Sequence, residues 1–259
     1  MSNPTDPYQR IIWSADVGTT DKLFALLGSM PRKPIVKIDR PFFERRGNGH
    51  WSIFDRLAEQ GITVFDDAKI TGVGRELRES AENHTSGSRP WMLNCMSNSL
   101  ANGKIYLSPD AKARGEELDS LKQFAEICTE AGVNRCSVTV LTSKSDDIVW
   151  DEYNQREAAS QVQWYAEWLV KFGFTHLVCS PLEARKLRRN SDFDSLKLVT
   201  PGIRPVGAAV THQSRFTTPT EAFENGADFI VVGSPITKGP GTPAENLDAI
   251  AAEVAAVLN

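Results

Sequence analysis

The chain predicts a (β/α)8 barrel, the TIM-barrel fold of the α/β class, and three observations carry that expectation. Eight short runs rich in Val and Ile recur through the 259 residues. Segments with helical spacing separate them, and strands that alternate with helices pair in parallel through βαβ crossovers. The runs are apolar at consecutive positions, as expected of strands covered on both faces. Eight such units in about this length match a barrel. The competing architecture is an open doubly wound sheet, but no G-x-G-x-x-G follows the first run. No linker divides the chain, so 1–259 reads as one domain.

The expected strands are Ile11–Ala15, Pro34–Ile38, Ile62–Phe65, Trp91–Cys95, Cys136–Leu141, His176–Cys179, Leu196–Thr200 and Phe229–Val232. The expected helices are Thr20–Leu27, His50–Gln60, Glu117–Ala131, Arg156–Phe172, Pro181–Arg189, Pro219–Asn225 and Pro243–Leu258. Ile53, Phe54, Leu57 and Ala58 share one face of the second helix, and Leu118, Leu121, Phe124, Ala125 and Cys128 share one face of the third. The last three helices each carry Pro in the first turn, where its missing N–H costs nothing. Ser97–Gly115 is the least regular stretch and reads as a long loop or lid after strand four (97–115).

Composition narrows the function. The net charge of -4 gives no basic footprint for nucleic acid. The four cysteines, Cys95, Cys128, Cys136 and Cys179, are widely spaced with no CxxC. They read as reduced buried thiols of a cytoplasmic protein. The N-terminal stretch is polar with no apolar signal core, and no run is long enough to span a membrane.

In such a barrel, chemistry sits at the C-terminal ends of the strands. Strand one ends in Asp16, strand two in Lys37 with Asp39 two positions on, and strand three in Asp67 and Lys69. Side chains alternate faces along a strand, so Asp67 and Lys69 are expected to point the same way, one pleat apart. Strand five ends in Thr142 and Ser143, strand seven in Thr200-Pro201-Gly202-Ile203-Arg204, and strand eight in Gly233-Ser234. Three acids and two lysines from adjacent strands on one rim are costly as structure alone, because each buried charge loses hydration. They point to proton transfer. Gly202 and Gly233, with Ser234, Thr237, Arg204 and Gln213 as donors, suggest a phosphate site after strands seven and eight.

Taken together, these blocks resemble the orotidine 5'-phosphate decarboxylase family in its bacterial form, nearly end to end. The matching blocks are Asp16, Val36-Lys37-Ile38, Phe65-Asp66-Asp67-Ala68-Lys69, Trp91–Asn94, Val138–Ser143, Val178–Ala184, Leu198–Pro205 and Gly226–Gly233. The resemblance implies a cofactor-free, metal-free lyase of pyrimidine biosynthesis that converts orotidine 5'-phosphate to uridine 5'-phosphate. It also implies a homodimer with sites near the interface. Lys69, Asp67 and Lys37 would be catalytic, with Lys69 as proton donor. Asp16 and Lys37 would hold ribose hydroxyls, Thr142 would meet the pyrimidine edge, and Arg204, Gln213 and Gly233 would surround the phosphate. Ser143, Pro201 and Ser234 complete the expected substrate contacts.

The chain departs from the family pattern inside this site. Gly72 stands where the D-x-K-x-x-D motif has its last acid, and Ser234 stands where an arginine meets the phosphate. Met96 falls in the segment where a His is expected, and Arg75-Glu76 replaces a small polar residue and Thr. Asp39 is the expected substitute for the missing acid, and Arg40, Arg45, Arg46 or Arg75 for the missing positive charge. The alternative is a diverged member acting on another nucleotide-like or sugar-phosphate ligand, or a non-catalytic binding barrel.

Overall fold

The computed structural model describes residues 4–39, 50–72, 74–97, 111–142, 144, 146–153, 157–206 and 216–258. Eight strands form a closed barrel: β1 (Ile11–Ser14), β2 (Ile35–Asp39), β3 (Val64–Ile70), β4 (Met92–Met96), β5 (Asn134–Val138), β6 (His176–Val178), β7 (Lys197–Thr200) and β8 (Phe229–Val232). Every neighbouring pair is parallel, and Trp13 closes the ring by pairing with Val36 of β2 and Val232 of β8.

Ten described α-helices follow the strands. They are α1 (Thr20–Ser29), α2 (His50–Glu59), α3 (Arg75–Thr85), α4 (Ala111–Glu130), α5 (Asp146–Glu152), α6 (Ala158–Lys171), α7 (Pro181–Leu187), α8 (Pro219–Glu224), α9 (Ser234–Lys238) and α10 (Pro243–Leu258). Local chemistry starts several of them. Thr19 accepts from the Lys22 amide to cap α1. Ser180 with Glu183, and Thr218 with Glu221, form reciprocal capping boxes at α7 and α8, each followed by Pro. Among the described residues, no helix is long and apolar enough to cross a membrane.

Two differences from the expected elements bear on the site. The third strand does not end at Phe65 but runs through the charged motif to Ile70, because paired charges are tolerated inside it. Of the segment expected as a loop or lid, 98–110 lie outside the described residues, and Ala111–Gly115 are the first turns of α4. The polar helix α3 and the short helices α5 and α9 were not expected.

The barrel interior holds a compact apolar plug that includes Ile12, Ile35, Phe65, Met92, Cys136, Val199 and Phe229. Trp91, His176 and Phe229 close its N-terminal end with ring centroids 5.3–5.7 Å apart. Burial, with Lys197 and Arg135 nearby, pushes His176 down to about 3, so it packs there as a neutral ring. Two larger cores lie between the sheet and its helices, one centred on β3–β7 and the other on β1, β2 and β8. Each fully buried Leu or Ile contributes about 1.5–3 kcal/mol. The four cysteines are free and buried, as expected. Filled below and walled outside, the barrel opens at its C-terminal rim.

Candidate active site

That opening is a cavity of about 440 Å³, within the range of small-molecule sites. Phe65, Val138, Val178 and Val231 form an apolar floor. One wall comes from β1–β3 and carries Ser14, Asp16, Lys37, Asp67 and Lys69. The opposite wall comes from the segments after β7 and β8.

The β1–β3 wall is built around the Asp67 carboxylate. Its Oδ2 lies 2.5 Å from Lys37 Nζ and 2.7 Å from Lys69 Nζ. Its Oδ1 accepts from Asn94 Nδ2 at 2.6 Å. The side chains of Asp67 and Lys37 are only 7% and 11% exposed, against 41% for Lys69. Both ammonium groups line the cavity, and Lys69 is the more exposed of the two. Burial alone would raise Asp67, but the two lysines outweigh it and hold its carboxyl below the ordinary carboxylate range. Burial alone would lower Lys37, but Asp67, with Asp16 and Asp39 behind it, outweighs that and raises it. The pair is ionised at neutral pH.

Asp67 and Lys69 converge as expected, but not through regular alternation. Asp66 pairs with Leu93 and Ile70 with Cys95, so β3 uses four steps where β4 uses two. The surplus forms a bulge at Asp67-Ala68-Lys69, and Lys69 takes φ +47°. Bulges re-aim side chains near active sites.

Asp16 is exposed on the cavity wall and accepts from Ser14 Oγ at 3.1 Å. Gly233 lies against it: a Cβ there would sit 3.8 Å from Asp16 Oδ2. Asp39 stands in register beside Asp67, and its charge acts on Lys37. It is not among the described residues that line the cavity.

The far wall carries Pro201, Gly202 and Arg204 after β7, and Gly233, Ser234, Thr237 and Lys238 after β8. Gly202 has φ +84°, which favours glycine, and its carbonyl accepts from the Thr217 amide at 3.2 Å. The Arg204 amide donates to the Thr217 carbonyl at 2.9 Å, which fixes this segment. Thr142 joins the cavity from the β5 side. Ser143 and Gln213 lie outside the described residues.

At the departure positions, Gly72 has φ +114°, a conformation L side chains rarely adopt. A Cβ there would sit 3.0 Å from Glu76 Oε2. The backbone has settled into a shape that suits glycine. Arg75 is exposed and pairs with Glu79 at 2.5 Å, so it does not supply the expected charge to the cavity. Arg40, Arg45 and Arg46 lie outside the described residues.

Three polar residues at the site, Ser14, Asn94 and Lys238, were not singled out from the sequence. Lys238 follows Ser234 by four positions, one helical turn, and that spacing was a readable signal. Asn94 is a polar residue inside the apolar run Met92–Met96; a buried amide there requires partners.

Fold and site together define a (β/α)8-barrel enzyme that holds a Lys–Asp–Lys charge chain over an apolar floor. The chain belongs to the orotidine 5'-phosphate decarboxylase / HUMPS family, whose family model matches residues 9–250. It is 34% identical to an orotidine 5'-phosphate decarboxylase of Lactobacillus gasseri over 234 residues, covering 88% of this chain and 91% of the relative. It is 30% identical to the Rhodopseudomonas palustris protein of that name, covering 98% of each. The crystal structure of the Lactobacillus acidophilus protein of that name matches with TM-score 0.73 and 27% identity, covering 95% of this chain and 99% of that one.

Proposed function

We propose that this protein decarboxylates orotidine 5'-phosphate to uridine 5'-phosphate and carbon dioxide in pyrimidine biosynthesis. The observation that carries the reading is the Lys37–Asp67–Lys69 chain, buried at Asp67 and Lys37, with the more exposed Lys69 ammonium at the cavity. In this reading the bond from ring carbon to carboxylate breaks, and its electron pair stays on the ring carbon. Lys69 donates a proton to that carbon and is reprotonated from solvent. Asp67 crowds the substrate carboxylate, whereas Lys69 stabilises the charge that develops as carbon dioxide leaves. Preorganised charge of this kind is commonly the largest catalytic contribution. Lys37 holds Asp67 ionised and, with Asp16, takes the ribose hydroxyls. Thr142, with Ser143, meets the pyrimidine edge, and Pro201 shapes the pocket. Arg204, Gln213, Gly233 and Ser234 surround the phosphate, whose remote binding is used to stabilise the transition state. Asp39 supplies the second acid through its field on Lys37. The reading needs no metal or organic cofactor, and it places the enzyme in the cytoplasm as a homodimer with sites near the interface.

A second reading is favoured by Ser234 and by the glycine-specific backbone at Gly72. It keeps the barrel and charge chain but gives them another nucleotide-like or sugar-phosphate ligand. Loss of orotate absorbance on incubation with orotidine 5'-phosphate supports the first reading. Absence of turnover with thermal stabilisation by a different nucleotide or sugar phosphate supports the second. Absence of both leaves a binding barrel without this chemistry.

A further inference from the structure

We infer that Asn94 is the positioning residue that sets the geometry of the Asp67–Lys69 pair. The bulge in β3 removes the Lys69 amide from the ladder with β4. A buried N–H without a partner is costly. Asn94 Oδ1 accepts that N–H at 2.7 Å, and Asn94 Nδ2 donates to Asp67 Oδ1 at 2.6 Å. The orientation of the amide is not ambiguous, because the backbone N–H can only donate and an ionised carboxylate can only accept. Asn94 is fully buried on β4, so its own position is fixed by packing.

A single side chain thus holds both ends of the bulge. It keeps Lys69 at φ +47°, which is the only positive φ of a non-glycine among the described residues. It also turns the Asp67 carboxylate so that Oδ2 receives both ammonium groups. Such strain persists only where the surroundings over-determine it. Without Asn94 the bulge loses its acceptor and Lys69 is free to return to extended backbone, which swings its ammonium away from Asp67.

The kinetic part of this inference rests on the decarboxylase reading; the structural part does not. Asn94→Ala should lower kcat for orotidine 5'-phosphate about 10²-fold, the effect of a small misplacement of reacting groups, with KM changed less than about threefold. Asn94→Asp gives a sharper signature. Its new carboxyl can accept from the Lys69 amide, but it faces Asp67 and can replace the amide donor only while protonated. Neighbouring like charge raises its pKa. Turnover of Asn94→Asp relative to wild type should therefore rise as pH falls from about 8 to about 5. A residue that only packs would lower thermal stability and leave both kcat and the shape of the pH profile unchanged, and that result overturns the inference. Crystal structures of both variants read it without substrate. Lys69 outside the left-handed region and its Nζ off Asp67 in Asn94→Ala supports it, even if the wild type does not turn over orotidine 5'-phosphate. An unchanged bulge and ion pair overturns it. Should Asn94→Ala not fold, the pH profile and structure of Asn94→Asp decide.

Discussion

The two walls of the cavity are built on different terms. The β1–β3 wall is over-determined at a buried centre: Asp67 meets two ammonium groups and an amide, each within 2.7 Å. The β7–β8 wall is open, with Ser234 and Lys238 exposed at its lip. Departures fall on both sides: the Lys37–Asp67–Lys69 chain is intact but the motif after β3 lacks its last acid at Gly72, and on the far wall an expected phosphate arginine is replaced by Ser234. Charges in a dry site cannot be changed singly without stranding a partner. Cations at a wet rim are exchangeable, because each is worth less and another nearby can take its place. The chemistry is thus more firmly encoded than the grip on the substrate.

The largest expected effect breaks the buried centre. Asp67→Asn leaves Lys37 and Lys69 facing each other, so thermal unfolding should register a loss of about 3–5 kcal/mol, and kcat should fall about 10²-fold or more. Next comes Gly72→Asp, which restores the expected acid on paper. Its φ of +114° and the nearby Glu76 should make it about 1–3 kcal/mol less stable by denaturant titration, with no gain in turnover. At the open wall, Lys238→Ala should raise KM about 5–10-fold with kcat little changed, at the low end for a charged contact because Lys238 is exposed. Ser234→Arg should lower KM by a similar factor.

The smallest effect separates the walls by pH. Asp67 is held below its usual range, so its contribution is present at neutral pH and is lost only as pH falls through that lowered value. Lys37 is raised, so its contribution is lost only as pH rises beyond its ordinary value. A kcat profile limited by this pair should be flat from about pH 5 to 9. KM should rise below about pH 6, where a phosphate monoester gains a proton.

Much of this was legible in the chain. Barrel strands covered on both faces read as apolar runs, and Phe229–Val232 matches the structure end to end. Pro181, Pro219 and Pro243 marked three helix starts, because local chemistry sets them. The polar helix Arg75–Thr85 was not legible: it presents few apolar residues, and its stability comes from packing against α4. Nor was the bulge, because register belongs to the pairing of β3 with β4 and to neither strand alone. The rim charges were found from strand ends. The bridge through Asn94 required the geometry that brings residues 67, 69 and 94 together.

The central claim is that Lys69 performs the chemistry while the opposite wall holds the substrate's phosphate. Its most direct test is orotidine 5'-phosphate turnover by wild type and Lys69→Ala, with uridine 5'-phosphate affinity measured on both. The account predicts that Lys69→Ala loses turnover by about 10²–10⁴-fold while nucleotide affinity stays within a few-fold of wild type. Turnover by Lys69→Ala close to that of wild type would contradict it.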